Sequence, residues 1–293
     1  MDVVEHKDEL HEIIEDWLHH SDHVALVPTM GNLHAGHLSL VELAREHAER
    51  VIVSVFVNPT QFGEGEDFDN YPRTLEKDCL RLRKLNVDAV FAPSVDEVYP
   101  FGMNNATRVT VPHLANDFCG ASRPGHFDGV TSVVSRLFAL VQPDVAVFGQ
   151  KDYQQQLIIR RMTEDLNFPT RIITGPTVRE DDGLAMSSRN TFLSDEERAI
   201  APRIYESLSR IANELQSGKE NYAQLEEVGT AELSAAGLDV DYVAVRRAED
   251  LAEPNRDSDE LGFDGGCTAA NGARILECKE TIRRRVSSRT TRS

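Results

Sequence analysis

The sequence predicts an α/β protein, with a parallel β-sheet covered by helices on both faces. Through the first half of the chain, short runs of aliphatic and β-branched residues alternate with longer segments whose apolar residues recur at helical spacing. The short runs end in or just before glycine or proline, which are typical of the end of a strand. Strands that alternate with helices form right-handed βαβ units, so a ligand is expected beyond the carboxyl ends of the strands.

The predicted elements divide the chain into two domains. Helices are predicted first at 5–19, 36–49, 74–85, 129–141 and 151–165, and strands at 24–30, 51–57, 88–93, 144–149 and 170–174. Near Pro176 the pattern changes to two helices with polar faces and one strand, at 195–216, 221–236 and 241–246. We therefore predict a Rossmann-like domain at 1–176 and a small α+β C-terminal domain at 177–293.

The end of the chain lacks amphipathic periodicity. Residues 249–260 hold six acids and one arginine, whereas residues 281–293 hold five arginines and no acid. We interpret the first stretch as a solvated loop and the second as a disordered tail.

The composition is that of a soluble globular chain that does not bind nucleic acid or membranes. Its 293 residues carry 31 basic and 49 acidic side chains, a formal charge of −18, which repels nucleic acid and anionic lipid. The N-terminus has no apolar signal region, and no apolar run approaches the ~20 residues of a membrane span. The four cysteines are scattered without metal-binding spacing, so reduced thiols and no metal-ligating residues are expected.

The main candidate site follows the first predicted buried strand, in the segment PTMGNLHAGH. A glycine turn leads into a helix, and His34 and His37 share one face of its first turn. The unpaired N–H groups and the dipole of a helix N-terminus favour phosphate, and two imidazoles add hydrogen-bond donors. Gly36 lets a nucleotide approach without a Cβ in the way. The alternative is two surface histidines beside a tight turn.

Two other strand ends carry weaker signals. In FVNPTQF, Asn58 and Gln61 are uncharged amides that can bind a hydroxyl and a carboxylate, although Asn-Pro is also an ordinary turn signal. In FGQKD, Gly149 permits close approach to the backbone and Lys151 is suited to phosphate. The alternative for the second segment is a helix start at which Asp152 complements the dipole.

A fourth segment, MSSRN, lies just after the predicted domain change. Two hydroxyls and a guanidinium in a loop can clamp the phosphates of a nucleotide, and such a loop can close over them. The string alone is not specific. The following LSDEER has the pattern of a helix N-cap, so the segment also reads as a turn before a helix.

In combination the motifs are specific. PTMGNLHAGH, FVNPTQF, YPRT, RPGHFDGV, FGQKDYQQ and DGLAMSSRN follow one another between about residues 20 and 205. In this order they resemble the pantoate–β-alanine ligase (pantothenate synthetase) family of the HxGH nucleotidylyltransferase superfamily. The resemblance implies that pantoate and ATP form pantoyl adenylate with Mg²⁺, and that β-alanine then attacks to give pantothenate and AMP. It also implies a cytoplasmic homodimer whose C-terminal domain is a lid.

The resemblance implies a role for each matching residue. His37 would be the proton donor, with His34 and Lys151 beside it in catalysis, and Gln61 and Gln155 would hold pantoate, Gln61 also contacting β-alanine. The implied ATP site consists of Met30, Gly31, Asn32, Leu33, His34, Ala35, Gly36, His37, Gly149, Gln150, Lys151, Asp152, Val178, Met186, Ser187, Ser188 and Arg189.

Three departures from the family pattern stand out. Thr60 replaces the usual Met and is expected to loosen the acid pocket, whereas Gln150 replaces the usual Glu with little expected effect. Residues 272–280 only faintly echo the family's last strand, which puts stability, dimerisation or lid closure in question. Two alternatives therefore stay open, another small-substrate nucleotidylyltransferase and a nucleotide-binding homologue with impaired catalysis.

Overall fold

The computed structural model describes residues 1–255, 258, 260–268 and 274–283. The chain divides into two compact units. The first contains Met1–Gln150, Gln154–Val178 and Met186–Ser188, and the second contains Lys151–Tyr153, Arg179–Ala185 and the described residues from Arg189 onward.

The helices and strands have the following bounds. Helices α1–α10 span Lys7–His19, Ala35–Arg45, Leu75–Lys84, Val95–Val98, Cys119–Ser122, His126–Val141, Tyr153–Asp165, Asp195–Ile200, Arg203–Gln216 and Tyr222–Ala235. Strands β1–β9 span Asp2–Val4, Val24–Thr29, Arg50–Val55, Ala89–Phe91, Val145–Gly149, Arg171–Gly175, Asp239–Arg247, Glu260–Thr268 and Arg274–Arg283. Short 3₁₀ turns occur at Pro59–Gln61, Met103–Asn105, Gln150–Asp152 and Ser188–Phe192.

The first unit is built on a parallel sheet. Within the described residues the sheet has six strands in the order β1-β4-β3-β2-β5-β6, and every pair is parallel. The central strands are buried because their valines pack against α2 and α3, with Val41 and Leu82 both fully buried. Each such side chain contributes about 1.5–3 kcal/mol on burial. The predicted α/β class with a parallel sheet is confirmed.

The second unit is smaller and has its own core. Strands β7, β8 and β9 form an antiparallel sheet in that order. Ile204, Leu208 and Ile211 recur at helical spacing along α9 and are fully buried in the core of this unit. Cys267 on β8 is also fully buried, and burial raises the pKa of its thiol to about 12.

Several elements differ from the sequence prediction. The helix predicted at 195–216 is two helices, and Pro202, which lacks an N–H to donate, stands between them. Ser194 begins the first of them through a reciprocal capping box with Glu197, as the LSDEER pattern indicates. The short elements β1, α4 and α5 were not predicted.

The C-terminal prediction needs a larger correction. A long strand, β8, begins at Glu260, and β9 includes residues 281–283 of the predicted disordered tail. The remainder of that tail, residues 284–293, lies outside the described residues. The faint echo of a last strand at 272–280 falls largely on β9, so this part of the second unit does form a strand.

Candidate active site

The first unit places its candidate residues at a topological switch point. The chain leaves the central strand β2 for β3 on one side, while β5 pairs with β2 on the other. In an open parallel sheet a ligand binds at such a point, beyond the carboxyl ends of the strands. Met30 follows β2 directly, and Gly149 is the last residue of β5.

The loop after β2 is held by one buried carboxylate. Asp78 of α3 is fully buried and accepts hydrogen bonds from the backbone N–H groups of Asn32 and Leu33, each at 2.9 Å. The hydroxyl of Thr74 donates a third, at 3.0 Å. Gly31 has a φ of 84°, and a Cβ there would lie 3.0 Å from a methyl of Val55, so glycine is required. The side chain of Leu33 belongs to the core, and its backbone shapes the loop.

The two histidines cap the helix that follows. His34 is the N-cap of α2, and its Nδ1 accepts from the N–H of Gly36 at 3.2 Å. The Nδ1 of His37 accepts from the N–H of His34 at 3.3 Å, and the two ring centroids are 4.0 Å apart. A neutral imidazole whose Nδ1 accepts carries its proton on Nε2. Both histidines are therefore held in the tautomer with an Nε2–H donor, beside the N-terminus of α2 that starts at Ala35.

Part of the MSSRN segment meets this loop within the first unit. The hydroxyl of Ser188 donates to the carbonyl oxygen of Asn32 at 3.0 Å. The N–H of Met186 donates to the carbonyl of Val178 at 3.0 Å. A Cβ at Gly36 would lie 3.8 Å from the Cβ of Met186 and only 3.0 Å from ring atoms of His34. The segment that also contains Ser187 is thus joined to the HxGH turn, as the candidate site requires.

The amide of Gln61 lies next to the same loop. Its Nε2 donates to the sulfur of Met30 at 3.2 Å, and its Oε1 accepts from Nδ2 of Asn58 at 3.1 Å. Asn58 is buried, with its Nδ2 also donating to the carbonyl of Gly129 at 3.1 Å. A Cβ on Gly129 would lie 2.4 Å from the carbonyl oxygen of Thr60, so α6 packs directly on the turn that carries Gln61. The acid-binding candidate and the nucleotide-binding candidate therefore touch.

A half-buried ion pair and a buried histidine support the backbone of Gln61, and none of these residues has a role predicted from the sequence. Nδ1 of His126 donates to the carbonyl of Gln61 at 2.7 Å, and Nε2 accepts from Arg123 at 3.0 Å. Arg123 also forms an ion pair with Glu66 at 2.5 Å. Burial alone would raise the pKa of Glu66, but the hydrogen bond and charge of Arg123 outweigh it and lower the pKa to about 2. The motif RPGHFDGV, quoted above for the resemblance, contains Arg123 and His126, whereas no motif singled out Glu66.

The remaining candidates of the first unit lie around the end of β5. Gly149 would carry a Cβ 3.8 Å from Leu40, an ordinary contact, so the described residues alone do not demand glycine there. Gln150 opens a 3₁₀ turn and is half-buried. Gln155 is half-buried on the first turn of α7. No hydrogen bond within the described part of the chain joins Gln155 to Gln61, so the two proposed pantoate ligands are not linked directly.

Three candidates belong to the second unit. Lys151 and Asp152 form an ion pair at 3.4 Å, with the lysine side chain 19% exposed and the aspartate side chain 44% exposed. Arg189 follows Ser188 in the 3₁₀ turn. Among the described residues no group of three or more His, Cys, Asp or Glu side chains is arranged to hold a metal ion. The same part of the chain contains no helix long and apolar enough to span a membrane.

A parallel sheet with a histidine-capped helix at its switch point defines an α/β nucleotide-binding enzyme of the HxGH class. The family model for pantoate-beta-alanine ligase matches residues 2–276. The chain therefore belongs to the pantoate–β-alanine ligase family, and the predicted family and enzyme class are confirmed.

Known proteins are similar over most of the chain. Pantothenate synthetase from Pseudomonas fluorescens (strain SBW25) is 55% identical over 228 residues, which cover 78% of this chain and 81% of the relative. The crystal structure of pantothenate synthetase from Thermus thermophilus has a TM-score of 0.89 at 44% identity, covering 96% of this chain and 99% of that one. The Francisella tularensis pantoate–β-alanine ligase, complexed with beta-gamma ATP and β-alanine, has a TM-score of 0.78 at 32% identity, with 95% and 97% covered.

Proposed function

We propose that this chain condenses pantoate with β-alanine in two steps. A carboxylate oxygen of pantoate attacks the α-phosphorus of ATP, the bond to pyrophosphate breaks, and pantoyl adenylate forms. The amine of β-alanine then attacks the acyl carbon, loses a proton and releases AMP. The observation that carries the proposal is the 3.2 Å contact between the Gln61 amide and Met30, because adenylation requires an acid site directly beside a nucleotide site.

The histidine-capped helix is proposed to stabilise the phosphoryl group. In the tautomer described above, His34 and His37 each have an Nε2–H donor, and the N-terminus of α2 adds backbone donors and a positive dipole end. Donors that are already oriented cost little reorganisation when negative charge develops on the phosphoryl oxygens. His37 would also be the proton donor, through its Nε2–H, to the pyrophosphate oxygen that leaves the α-phosphorus. No side-chain nucleophile is needed, since the substrate carboxylate attacks.

The other residues are assigned by chemistry and by the family to which the chain belongs. Gly149, Gln150 and Asp152 would bind nucleotide with Val178 and the segment Met186–Ser188, while Lys151 and Arg189 would contribute positive charge to the phosphates. Gln61 and Gln155 would hold pantoate, and Gln61 would also contact β-alanine. We propose Mg²⁺ as part of the MgATP substrate, because Mg²⁺ is usually held by phosphates with only one or two carboxylates. It would neutralise phosphate charge.

Domain roles and assembly are also proposals. Residues 1–176 would bind ATP and pantoate, and residues 177–293 would form a lid over the substrates, which the division into two units near Val178 supports. Family membership further supports a cytoplasmic homodimer. Light scattering on the purified chain would then give twice the 32.7 kDa of one chain, and a mass of one chain would refute the dimer.

Exchange of pyrophosphate into ATP tests the reaction. We expect exchange that depends on pantoate and needs no β-alanine, since the first step is reversible. Exchange with another acid but not with pantoate would favour a different nucleotidylyltransferase. No exchange with any acid would favour a homologue that has lost catalysis.

The role of His37 can be separated from its part in the helix cap. His37→Ala removes both functions, whereas His37→Asn keeps a side-chain oxygen that can accept from the N–H of His34. We expect both variants to lose at least ~100-fold in exchange rate, because neither has an imidazole donor. His47→Ala, on an exposed residue after α2, is the matched control. Full activity of His37→Asn would remove the imidazole from the mechanism.

A further inference from the structure

Next to Gln61 lies a network of hydrogen bonds, centred on the buried Asn58, that the proposed function does not use. Oδ1 of Asn58 accepts from the hydroxyl of Tyr99 at 2.8 Å and from that of Thr60 at 3.0 Å. The two hydroxyls are themselves 3.1 Å apart. Asn58 and Tyr99 are 1% and 2% exposed, so the bond between them is shielded from water, whereas Thr60 is half-buried.

The network fixes which way the Asn58 amide points. Its Nδ2 has two protons, and they face the carbonyl of Gly129 and Oε1 of Gln61, both at 3.1 Å. Its Oδ1 accepts from the two hydroxyls and, at the longer distance of 3.4 Å, from the N–H of Thr60. A flipped amide would place its oxygen against two carbonyl oxygens. Asn58 therefore has its full set of hydrogen bonds within the protein and acts on its neighbour rather than on a ligand.

The orientation passes from Asn58 to Gln61. Oε1 of Gln61 accepts from Nδ2 of Asn58. The opposite end of the Gln61 amide is therefore its NH₂ group. One of those protons faces the sulfur of Met30, a weak acceptor. The group that Gln61 offers to a substrate is thus a donor, which suits a carboxylate or hydroxyl oxygen. If both amides flipped together, Gln61 would offer a carbonyl oxygen and repel a carboxylate.

We propose that Thr60 and Tyr99 are positioning residues, which lock the Asn58 amide so that Gln61 presents an N–H donor to the acid substrate. The resemblance predicts that Thr60 loosens the acid pocket, and we assign it the opposite role. Its hydroxyl adds a bond at 3.0 Å to an oxygen that Tyr99 and, at 3.4 Å, the N–H of Thr60 would otherwise hold. Burial raises the pKa of Tyr99, so the phenol remains a donor at neutral pH. The inference rests on the proposed binding of pantoate by Gln61.

A double-mutant cycle tests this role. Thr60→Val and Tyr99→Phe each remove one hydroxyl and nearly keep the shape of the side chain. Each should raise the KM for pantoate about 3-fold in pyrophosphate exchange, because one hydroxyl still holds Oδ1. The double variant should raise it by at least about 30-fold, well beyond the product, since only the N–H of Thr60 at 3.4 Å then remains. The KM for ATP should change less than about 2-fold in each variant.

Two further variants serve as controls. Thr60→Ser retains the hydroxyl and should restore the KM for pantoate. Thr163→Val removes a buried hydroxyl that donates to the carbonyl of Ile159 at 2.7 Å on α7, and it is the matched control for stability. If the double variant does not fold, the two single variants and Thr60→Ser still decide the question.

The outcomes separate the two hypotheses. One result would overturn the positioning role alone. In it, the wild-type protein shows pantoate-dependent exchange, but the variants have the same KM for pantoate as Thr163→Val. A double variant whose effect is the product of the single effects would do the same. Wild-type protein without pantoate-dependent exchange would overturn the proposed function, and this inference with it.

Discussion

Replacing Asp78 measures how strongly the loop after β2, the proposed nucleotide-binding loop, is held. Its two carboxylate oxygens accept from the N–H groups of Asn32 and Leu33, each at 2.9 Å, and it is fully buried. Asp78→Asn preserves the shape but turns one oxygen into a donor. Whichever way the new amide points, one of the two loop N–H groups faces another donor.

The magnitude follows from the lost bond. A hydrogen bond to a charged acceptor contributes about 1.5–3 kcal/mol, and the orphaned N–H cannot reach water because the site is buried. We expect Asp78→Asn to lower the free energy of unfolding of the first unit by about 2–3 kcal/mol in urea, and to raise the KM for ATP because the loop loses its anchor. Both quantities can be measured on the same preparation.

Asp144→Asn is the matched control for this change. Asp144 is exposed and accepts one backbone bond, from Val24 at 2.8 Å, which the oxygen of an asparagine can also accept. Its free energy of unfolding should stay within about 1 kcal/mol of wild type. If Asp78→Asn lowered the free energy of unfolding no more than Asp144→Asn does, the loop would not depend on the buried carboxylate.

Two further predictions concern the acid side of the site. Gly129→Ala should lower the free energy of unfolding by about 1–3 kcal/mol and raise the KM for pantoate, because its Cβ would lie 2.4 Å from the carbonyl oxygen of Thr60. Urea titrations and exchange assays measure the two effects. Gly63→Ala is the control, since its Cβ would meet its neighbours at 3.7 Å. Glu66→Gln should lose about 2 kcal/mol at pH 7. Because the folded pKa of Glu66 is lowered from 4.5 to about 2, this stabilisation is present above pH 4.5 and is lost as pH falls towards 2. A difference between Glu66→Gln and wild type that did not shrink over that range would contradict the ion pair with Arg123.

Regular elements with clear periodicity were predictable from the sequence, and elements held mainly by their neighbours were not. The apolar strands at 24–30 and 51–57 are β2 and β3 within two residues at each end. By contrast β8 contains three glycines and two acids, and it forms a strand because β7 and β9 pair with it on both sides. The three-residue β1 is too short for any periodicity to show.

The same contrast holds within the site. His34 and His37 were predictable because their spacing and the strand before them are local features of the sequence. Asp78 and Tyr99 were not predictable from local pattern. Asp78 lies 46 positions along the chain from its partner Asn32, and Tyr99 lies 41 positions from its partner Asn58. Such contacts exist only once the sheet has brought distant segments together.

These sequence separations also set the order in which the contacts can form while the chain is synthesised on the ribosome. The loop at Asn32 cannot take its final shape before Asp78 has been added and α3 has formed. The turn that carries Asn58 must wait for Gly129, 71 positions later, and the bond from Ser188 to Asn32 closes across 156 positions. As a nascent chain emerges N-terminus first, the loop after β2 can form before the turn that carries Asn58, and the Ser188 contact forms last. Until that last step, the emerging chain has the parts of a site but not its complete set of contacts.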